Sequence, residues 1–495
     1  TRRGPWFRAD ALVYDEIGEL AAAIEELASQ GFCTTQAELP DLLPLLRRGD
    51  LLQALAEAGR PAPKGARREA LVRALLEDLP GEALRAILGE RLRPVRPLHD
   101  ALWTRLFLMF FGNFEQDLAT FVVADRGLVR YEAYPVEPGL RAFESRADVD
   151  FLLSLRDLRD RLEQGADGEE LEVLSAAVLA MEARPGVRLQ RRFQRLLNGL
   201  GRAWERRQEP QRALECYARS GRPPARERRI RILARSGDPE PACLLALEAV
   251  QAPGDEGEAR FARAFLERHR RMVPGVEDWL GAHPEPTLAD PLEVSAEPHP
   301  LGVEQAALEA ARAEGWDGFF AENRLWRACF GLALWEVLFA AVPGAFQHRF
   351  QNAPLDLGGD GFHLQRRPLI EARLAALRAV PDPAPELLAV AERKRGLANA
   401  FIDWRGFDAG HLAEALPRVG AEVLCAVLEV LARQPRAFAS GFPDLFLYRP
   451  GSQDWKLWEV KGPGDSLRPE QEGWLRRFTA WGCEARMVRV RYPGH

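Results

Sequence analysis

The sequence predicts a mostly α-helical protein of several domains that ends in a smaller α/β domain. Its 495 residues exceed what one compact core holds, because a domain takes about 100–200 residues. Apolar residues recur at helical spacing through most of residues 1–380. Residues 381–495 instead contain three short runs of β-type residues set between helical segments. A sheet is therefore expected only in this last region.

Composition excludes several classes of protein. With 47% hydrophobic and 28% charged residues, the chain has the make-up of a globular protein. It contains no run of about eighteen apolar residues, and its first residues lack the apolar core of a signal peptide. Six cysteines and eight histidines are scattered without metal-ligand spacing, which argues against a zinc site and a disulfide framework. We expect a cytoplasmic protein with no membrane partner.

Residues 1–98 are predicted to be helical and to include a small helical hairpin. An amphipathic helix is expected over Tyr14–Gln30, and two more over Leu51–Ala58 and Arg67–Leu79. The last two helices, with a basic loop between them, resemble a SAP module, which is a DNA-binding helical hairpin. Helix N-termini and basic side chains suit contacts with phosphate. The predicted DNA-binding residues of this hairpin are Lys64, Arg67 and Arg68.

Residues 99–150 are rich in aromatic side chains. Six aromatic residues between Trp103 and Phe121 follow helical spacing, so they are expected to be core residues. A strand is predicted over Thr120–Val123, and two tyrosines, Tyr131 and Tyr134, follow a turn. This pattern predicts a β-hairpin that forms the wing of a winged-helix-like DNA-binding segment.

Residues 151–300 are predicted to form a series of helices, each about ten to fifteen residues long. Breaks between helices are expected at Gly186, Gly199, Gly221 and Gly237. The segment Ala213–Tyr217 resembles part of a tetratricopeptide helix pair. The proline-rich stretch His283–Pro300 is expected to be a linker, and residues 301–380 a helical lead-in to the last domain.

Charge is distributed unevenly along the chain. Residues 188–235 hold fifteen arginines against four acids, although the whole chain carries a net charge of −6. Such a basic segment in an acidic protein is typical of a phosphate-binding surface. The alternative is an arginine-rich helical face with some guanidinium groups paired internally. The predicted DNA-binding residues of this segment are Arg191, Arg192, Arg195, Arg228 and Arg229.

The last domain, residues 381–495, is predicted to follow the order α-β-β-α-β. The expected elements are a helix over Ala421–Gln434, strands over Leu445–Tyr448 and Lys456–Val460, a helix over Arg468–Trp481 and a strand over Ala485–Arg491. The first two strands are joined by a short turn, so they should form a hairpin.

Three charged residues should converge at one end of this hairpin. Asp444 comes directly before the first strand, and Glu459 and Lys461 end the second. Only four lysines occur in the chain, so a lysine at this place is not background. An antiparallel pairing centred between residues 451 and 452 sets Asp444 opposite Glu459. Period-two alternation then puts Glu459 and Lys461 on one face and Val460 on the other.

These groups suit the hydrolysis of a phosphodiester bond. Two carboxylates supply the hard oxygen ligands that Mg²⁺ or Mn²⁺ prefers and leave positions open for water and phosphate. A lysine beside the ion can orient or deprotonate the attacking water and offset developing charge. The alternative is a solvated strand face with a weak ion pair. The residue pattern resembles that of the PD-(D/E)-x-K nucleases, which have a restriction-endonuclease-like α/β fold.

Longer motifs make the resemblance more specific. Gly441-Phe-Pro-Asp-Leu and Glu459-Val-Lys-Gly-Pro-Gly-Asp resemble the virus-type replication-repair nuclease (VRR-NUC) domain. Upstream, Gly315-Trp-Asp-Gly, Phe330-Gly-Leu-Ala-Leu-Trp-Glu and Arg366-Arg-Pro-Leu-Ile-Glu-Ala-Arg resemble the Fanconi-associated nuclease family, in a bacterial form. The similarity is strong from Gly315 onwards and loose before it.

The resemblance implies roles for individual residues. Asp444 and Glu459 match the metal-binding acids, Val460 would lend a backbone carbonyl to the metal, and Lys461 matches the catalytic lysine. A further metal-binding acid of the family corresponds to Glu322. Gln471 is a candidate for contact with a DNA phosphate. The cofactor implied is Mg²⁺ or Mn²⁺, as two ions, and the partner is branched or flapped DNA.

The function implied is a structure-specific DNA nuclease, a 5′-flap endonuclease and 5′-to-3′ exonuclease that acts in DNA interstrand crosslink repair. Two alternatives stay open. A Holliday-junction resolvase would share the catalytic domain, although such enzymes act as symmetric dimers. A non-catalytic DNA-binding helical scaffold is disfavoured, because clustered carboxylates repel one another unless an ion is bound.

Overall fold

The computed structural model describes most of the chain, in two compact units. The described residues are 6–12, 19–57, 59, 66–78, 81–116, 119–140, 143–166, 168–236, 239–271, 273, 275–284, 287–358 and 361–492. The units are Thr1–Phe107 and Leu108–His495. No helix in these ranges is long and apolar enough to cross a membrane.

The first unit combines a small sheet with short helices. Its antiparallel strands, in the order β1-β3-β2, are β1 (Phe7–Arg8), β2 (Cys33–Thr34) and β3 (Pro94–Pro97). Its helices are α1 (Leu20–Ser29), α2 (Leu39–Leu42), α3 (Arg48–Glu57), α4 (Arg68–Asp78) and α5 (Gly81–Leu92), and α6 (Asp100–Phe111) leads into the second unit. Buried leucines on α2 to α5 form the core. The predicted helical hairpin is present as α3 and α4, but Lys64 lies outside the described residues.

The predicted winged segment is not formed. Residues 120–123 lie in helix α7 (Ala119–Asp125), so the predicted strand is wrong. The helix lets Phe121 pack its ring 5.1 Å from that of Phe110 and 4.9 Å from that of Phe350, contacts that outweigh the β propensity of its neighbours. Tyr134 stacks on Phe346 instead of joining a hairpin, and the described residues between 119 and 140 form none.

A series of helices follows, as the spacing predicts. They are α8 (Arg146–Glu163), α9 (Gly168–Ala180), α10 (Val187–Arg206), α11 (Pro210–Ala218), α12 (Ala225–Leu233), α13 (Glu240–Gln251), α14 (Glu256–His269) and α15 (Val276–Ala282). From α10 to α14 each helix packs on the next. The predicted break at Gly199 is wrong, because Gly199 lies inside α10. The glycines there serve close packing, since a Cβ on Gly201 would lie 2.6 Å from the ring of Tyr217.

The last part of the chain builds a five-stranded mixed sheet in the order β4-β8-β7-β6-β5. Its strands are β4 (Leu292–Ser295), β5 (Asp317–Phe320), β6 (Leu445–Tyr448), β7 (Trp455–Lys461) and β8 (Ala485–Arg491). Its helices are α16 (Val303–Ala313), α17 (Leu325–Ala333), α18 (Trp335–Leu338), α19 (Gly361–Arg378), α20 (Ala384–Lys394), α21 (Ala409–Arg433), α22 (Pro435–Phe438) and α23 (Pro469–Ala480). The predicted order α-β-β-α-β is thus present as α21-β6-β7-α23-β8.

Helices cover both faces of this sheet. Leu445, Trp458 and Val488 pack with α16 on one face. Phe446 and Leu457 pack on the other face in the largest core, which also includes α17 and α19 to α21. This alternation along β6 and β7 follows the period of two that strands impose on their side chains.

One feature of this region differs from the sequence prediction. The predicted linker over His283–Pro300 contains β4, an edge strand that pairs in parallel with β8. The predicted helix over Ala421–Gln434 is confirmed: it is the part of α21 that follows the non-helical backbone of Gly420, and it ends at Arg433. Short-range patterns missed β4 because its pairing partner lies almost two hundred residues away.

Candidate active site

The β6–β7 hairpin sets the register of the candidate site. Leu445 pairs with Trp458 and Tyr448 with Trp455, so one more step of the same register places Asp444 opposite Glu459. The predicted register is confirmed. The turn is short, with Gly451 in the left-handed conformation at φ 76°.

Backbone groups from two neighbouring strands hold Asp444. Its Oδ2 accepts a hydrogen bond of 2.8 Å from the N–H of Val460. Its own carbonyl accepts from the N–H groups of Ala321 at 2.8 Å and Glu322 at 3.3 Å. Asp444 is therefore tied both to β7 and to the segment that follows β5.

The side chain of Glu459 is completely buried, and only one of its two carboxylate oxygens accepts a hydrogen bond from a described residue. Its Oε1 accepts a hydrogen bond of 2.7 Å from Nζ of Lys461. Its Oε2 is buried with no partner among the described residues. Val460 between them packs on the opposite face of the sheet, against α16. The predicted division of the two faces is confirmed.

The electrostatics of the pair favour a bound cation. Burial, followed by the charge of Glu322, raises the pKa of Asp444 to about 6. Burial and the charge of Asp444 raise the pKa of Glu459 to about 8, although Lys461 acts against this. Both carboxylates are thus costly to ionise without a counter-charge. An unpartnered carboxylate oxygen beside a second carboxylate is a donor set that fits a hard divalent ion.

Glu322 lies next to this pair, directly after β5. Its charge raises the pKa of both Asp444 and Glu459, so its carboxylate acts on the same site. Its Oε1 accepts a hydrogen bond of 3.0 Å from Nδ2 of Asn323. In the described part of the chain, no three acidic, histidine or cysteine side chains form a ready metal cluster. The three carboxylates repel one another, which gives a physical reason why they do not close into such a cluster without an ion.

Gln471 has a local structural role. Its side chain is buried, and its Oε1 accepts a hydrogen bond of 3.0 Å from the N–H of Arg468 at the start of α23. This capping contact satisfies an amide that the helix itself leaves free. The structure therefore gives the predicted phosphate-contacting side chain another partner.

Predicted and unpredicted arginines together line a second, basic cleft of about 490 Å³. They are Arg188, Arg191, Arg192, Arg195 and Arg436. Burial and the neighbouring arginines lower the pKa of Arg191 to about 9. Nε of Arg191 and Nη1 of Arg188 are buried without a hydrogen-bond partner in the described ranges. Glu115 also lines the cleft, 3.7 Å from Arg192, so positive charge remains in excess. Mutually repelling cations with unused donors indicate a site for an anion.

Sequence reasoning missed Arg188 as an individual residue and missed Arg436 entirely. Arg188 begins the basic segment that was singled out, so its charge was counted. Arg436 stands alone after Pro435 at the start of α22, more than two hundred residues away. No local signal distinguishes it from the other arginines of the chain.

The remaining predicted DNA-binding arginines differ from one another. Arg228 is paired with Glu205 through two hydrogen bonds of 2.8 and 2.5 Å, as the internal-pairing alternative expects. Arg229 is half-buried on the same helix, α12. In the first unit Arg67 is exposed, and the exposed Arg68 donates a 2.7 Å hydrogen bond to the carbonyl of Leu43.

Comparison with known proteins identifies the family. Residues 384–492 match the model of the VRR-NUC domain. A Fanconi-associated nuclease 1 homolog of Pseudomonas aeruginosa is 34% identical over 96% of this chain and 84% of its own length. The homolog of Arabidopsis thaliana is 26% identical over 99% of this chain and 62% of its own length.

Solved structures agree with the sequence comparison. A crystal structure of paFAN1 bound to 2-nucleotide 5′-flap DNA with a gap has a TM-score of 0.80 and 31% identity, over 100% of this chain and 90% of the other. A second, with a 1-nucleotide flap, has a TM-score of 0.77 and 31% identity, over 100% and 91%. The residue pattern of the hairpin, the fold around it and these similarities agree, and the chain belongs to the Fanconi-associated nuclease 1 family.

Proposed function

We propose that Asp444, Glu459 and Lys461 form the active site at which this structure-specific DNA nuclease hydrolyses phosphodiester bonds. The observation that carries the proposal is the buried carboxylate pair at the end of the β6–β7 hairpin, with one oxygen unpartnered and a lysine 2.7 Å from the other. The substrate we propose is a 5′ flap, cut as an endonuclease and then trimmed in the 5′-to-3′ direction. The related protein paFAN1 binds such flaps. We place the activity in the repair of DNA interstrand crosslinks, which the family name supports.

The family is divalent-metal dependent, and we propose Mg²⁺ or Mn²⁺, as two ions. Carboxylates of Asp444, Glu459 and Glu322 and the backbone carbonyl of Val460 would hold them. When bound, such an ion supplies Lewis acidity toward a phosphate oxygen and makes a nearby water a better nucleophile.

The residues of the chain itself position the reacting groups. The N–H of Val460 fixes one oxygen of Asp444, which leaves its other oxygen for a ligand. Glu459 fixes the ammonium group of Lys461, whose side chain is 11% exposed. This ammonium group can donate a hydrogen bond to the attacking water or to the phosphate. Burial of both acids keeps bulk water away and so strengthens each of these interactions.

DNA would be held mainly by arginines. We propose that Arg191, Arg192 and Arg195 contact phosphates in the basic cleft, and that Arg67, Arg68 and Lys64 add contacts from the SAP-like hairpin. We also propose a phosphate contact for Arg229, which is half-buried on α12. We propose that residues 1–98 and 151–300 bind DNA and that residues 99–150 connect them. Residues 381–495 form the catalytic site together with Glu322, which residues 301–380 supply.

The test compares the wild type with Asp444→Ala and Lys461→Ala on labelled 5′-flap, 3′-flap, four-way-junction and single-stranded DNA. Each is assayed with Mg²⁺, Mn²⁺ or EDTA. We expect metal-dependent cutting of the 5′ flap to fall at least about a hundredfold in both variants while DNA binding persists. The control is Asp454→Ala, which removes an exposed carboxylate at the other end of the hairpin.

Each other outcome has a defined meaning. Cutting of the four-way junction alone would replace the flap nuclease with a resolvase. Full activity in Lys461→Ala, or an equal loss in Asp454→Ala, would contradict the assignment of the site.

A further inference from the structure

Another cavity, separate from the basic cleft, adjoins the candidate active site. It lies between the end of β5, the first turn of α17 and residues 400–412, and its volume is about 160 Å³. We call it the β5–α17 pocket. A cavity of about 150 Å³ is known to hold a benzene molecule, so this pocket has room for one aromatic ring.

The walls of the β5–α17 pocket are rich in aromatic rings. Phe407 is half-buried. Phe319 and Phe401 are buried behind it, and the ring of Phe319 stacks on that of His411 at 3.8 Å and 3°. A flat ring that enters the pocket would therefore meet other flat rings, which is the arrangement that stacking requires.

Two polar atoms of the pocket residues lack partners. Oδ1 of Asn323 and Nε of Arg327 are buried and have no hydrogen-bond partner among the residues that the structure describes. Nη2 of Arg327 is fixed by a 2.8 Å hydrogen bond to the carbonyl of Ala400. One unused acceptor and one unused donor are costly to bury unless a ligand satisfies them. The ligand should therefore be flat and carry both a donor and an acceptor on its edge.

The pocket is joined to the candidate metal site through Asn323. This residue has the left-handed conformation at φ 53°, and its Nδ2 donates a hydrogen bond of 3.0 Å to Oε1 of Glu322. The N–H of Glu322 in turn contacts the carbonyl of Asp444. One residue thus separates the pocket from the carboxylates that would act on phosphate. Because Glu322 and Asn323 are consecutive, one DNA molecule can occupy the pocket and the metal site at the same time.

We propose that the β5–α17 pocket binds one unpaired nucleobase of the DNA substrate, next to the phosphate that is hydrolysed. This inference rests on the proposed function and adds a subsite to it. Nucleobases offer a stacking face and an edge with donors and acceptors, as the pocket demands. A paired base cannot enter, because its edge and its faces are already used in the duplex. The pocket therefore favours DNA that has an unpaired nucleotide at the site of cutting.

An abasic scan tests the subsite. A 5′-flap substrate is prepared with a single abasic nucleotide at each position near the cut, and kcat/KM is measured for the wild type and for Phe407→Ala. In the wild type we expect one position at which loss of the base lowers kcat/KM roughly tenfold. In Phe407→Ala we expect a similar loss on intact DNA and no further loss from the abasic nucleotide.

Matched variants and a second readout keep the result interpretable. Phe261→Ala removes a half-buried ring from α14, outside the pocket, and should keep the abasic effect. His411→Ala, which removes the ring stacked on Phe319, replaces Phe407→Ala if the latter fails to fold. In EDTA, 2-aminopurine is placed in turn at each position near the cut. At one position it should lose fluorescence on binding to the wild type and keep it with the pocket variants.

Two results would overturn the inference. One is a wild-type kcat/KM that does not depend on the position of the abasic nucleotide, and the other is an abasic effect of the same size in the pocket variants. If the wild type binds but does not cut flap DNA, the proposed function fails. The 2-aminopurine result in EDTA then decides the pocket independently.

Discussion

At the scale of single residues, Glu459 shows how burial and charge prepare a site. Because the pKa of Glu459 is raised to about 8, the metal-free folded state keeps a proton on this carboxyl between about pH 4.5 and 8. In the same pH range the unfolded state has already released that proton. The unfolded state then binds fewer protons than the native state, so stability falls as pH rises through this window. A bound cation would reverse this trend, because it stabilises the ionised pair.

Glu459→Gln should remove the part of this pH dependence that lies above about pH 6, because Asp444, whose pKa is raised to about 6, still titrates below it. The amide introduced by this substitution would keep an acceptor for Lys461 but could not ionise, so we expect the variant to exceed the wild type in stability at pH 8 in EDTA by a few kcal/mol, on the order implied by the shift. Thermal unfolding between pH 5 and 8, with EDTA or Mg²⁺, measures this. Asp454→Asn, at the exposed turn, serves as the control. A wild-type Tm that does not change with pH would contradict the expectation.

At the scale of elements, the sequence predicted the register of the β6–β7 hairpin but not the continuous helix α10 that packs on α11. The hairpin register followed from the turn and the alternation, because both are local. The continuity of α10 through Gly199 did not follow, because it depends on contact with other helices. Gly201 gives the clearest case: its Cβ position meets Tyr217, whose hydroxyl donates a 2.6 Å hydrogen bond to Glu205.

Gly201→Ala should therefore destabilise the helical region. The new methyl group would displace a buried ring that is fixed by a hydrogen bond, at a cost of about 1–3 kcal/mol. Denaturant unfolding measures the change in the free energy of unfolding. Gly281→Ala, in α15 with open space around it, is the matched control and should be neutral or stabilising. Equal stability of the two variants would contradict this prediction, because it would mean that the ring of Tyr217 can move away from position 201 at no cost in free energy.

At the scale of the whole molecule, the chain is acidic overall but concentrates positive charge in one cleft. The net charge is −6, yet five arginines line one cleft. Arg228, in the same basic segment, is instead committed to Glu205. The total count of arginines therefore overstates the charge available to DNA, and position in the fold decides which of them act.

The salt dependence of DNA binding should separate these roles. Arg191→Ala should weaken binding to all DNA forms and lower the slope of log K against log salt by about one, because one phosphate contact is lost. Arg228→Ala should leave the slope unchanged and lower the Tm, because Glu205 loses its cationic partner and keeps only the hydroxyl of Tyr217. Binding is measured in EDTA from about 50 to 200 mM salt. The same slope in wild type and Arg191→Ala would exclude the cleft as a phosphate site.

The sequence by itself determined the helical character of the chain, the order of the last α/β domain and the pairing of Asp444 with Glu459. Each of these depends on local periodicity, turn residues and a short motif. Only the tertiary structure decided that β4 joins the sheet, that residues 120–123 are helical and that Arg436 meets Arg191. It also decided that Gln471 caps a helix and that Asn323 links Glu322 to a pocket. These depend on contacts between residues far apart in the chain, whose free energy outweighs local preference and leaves no local signal.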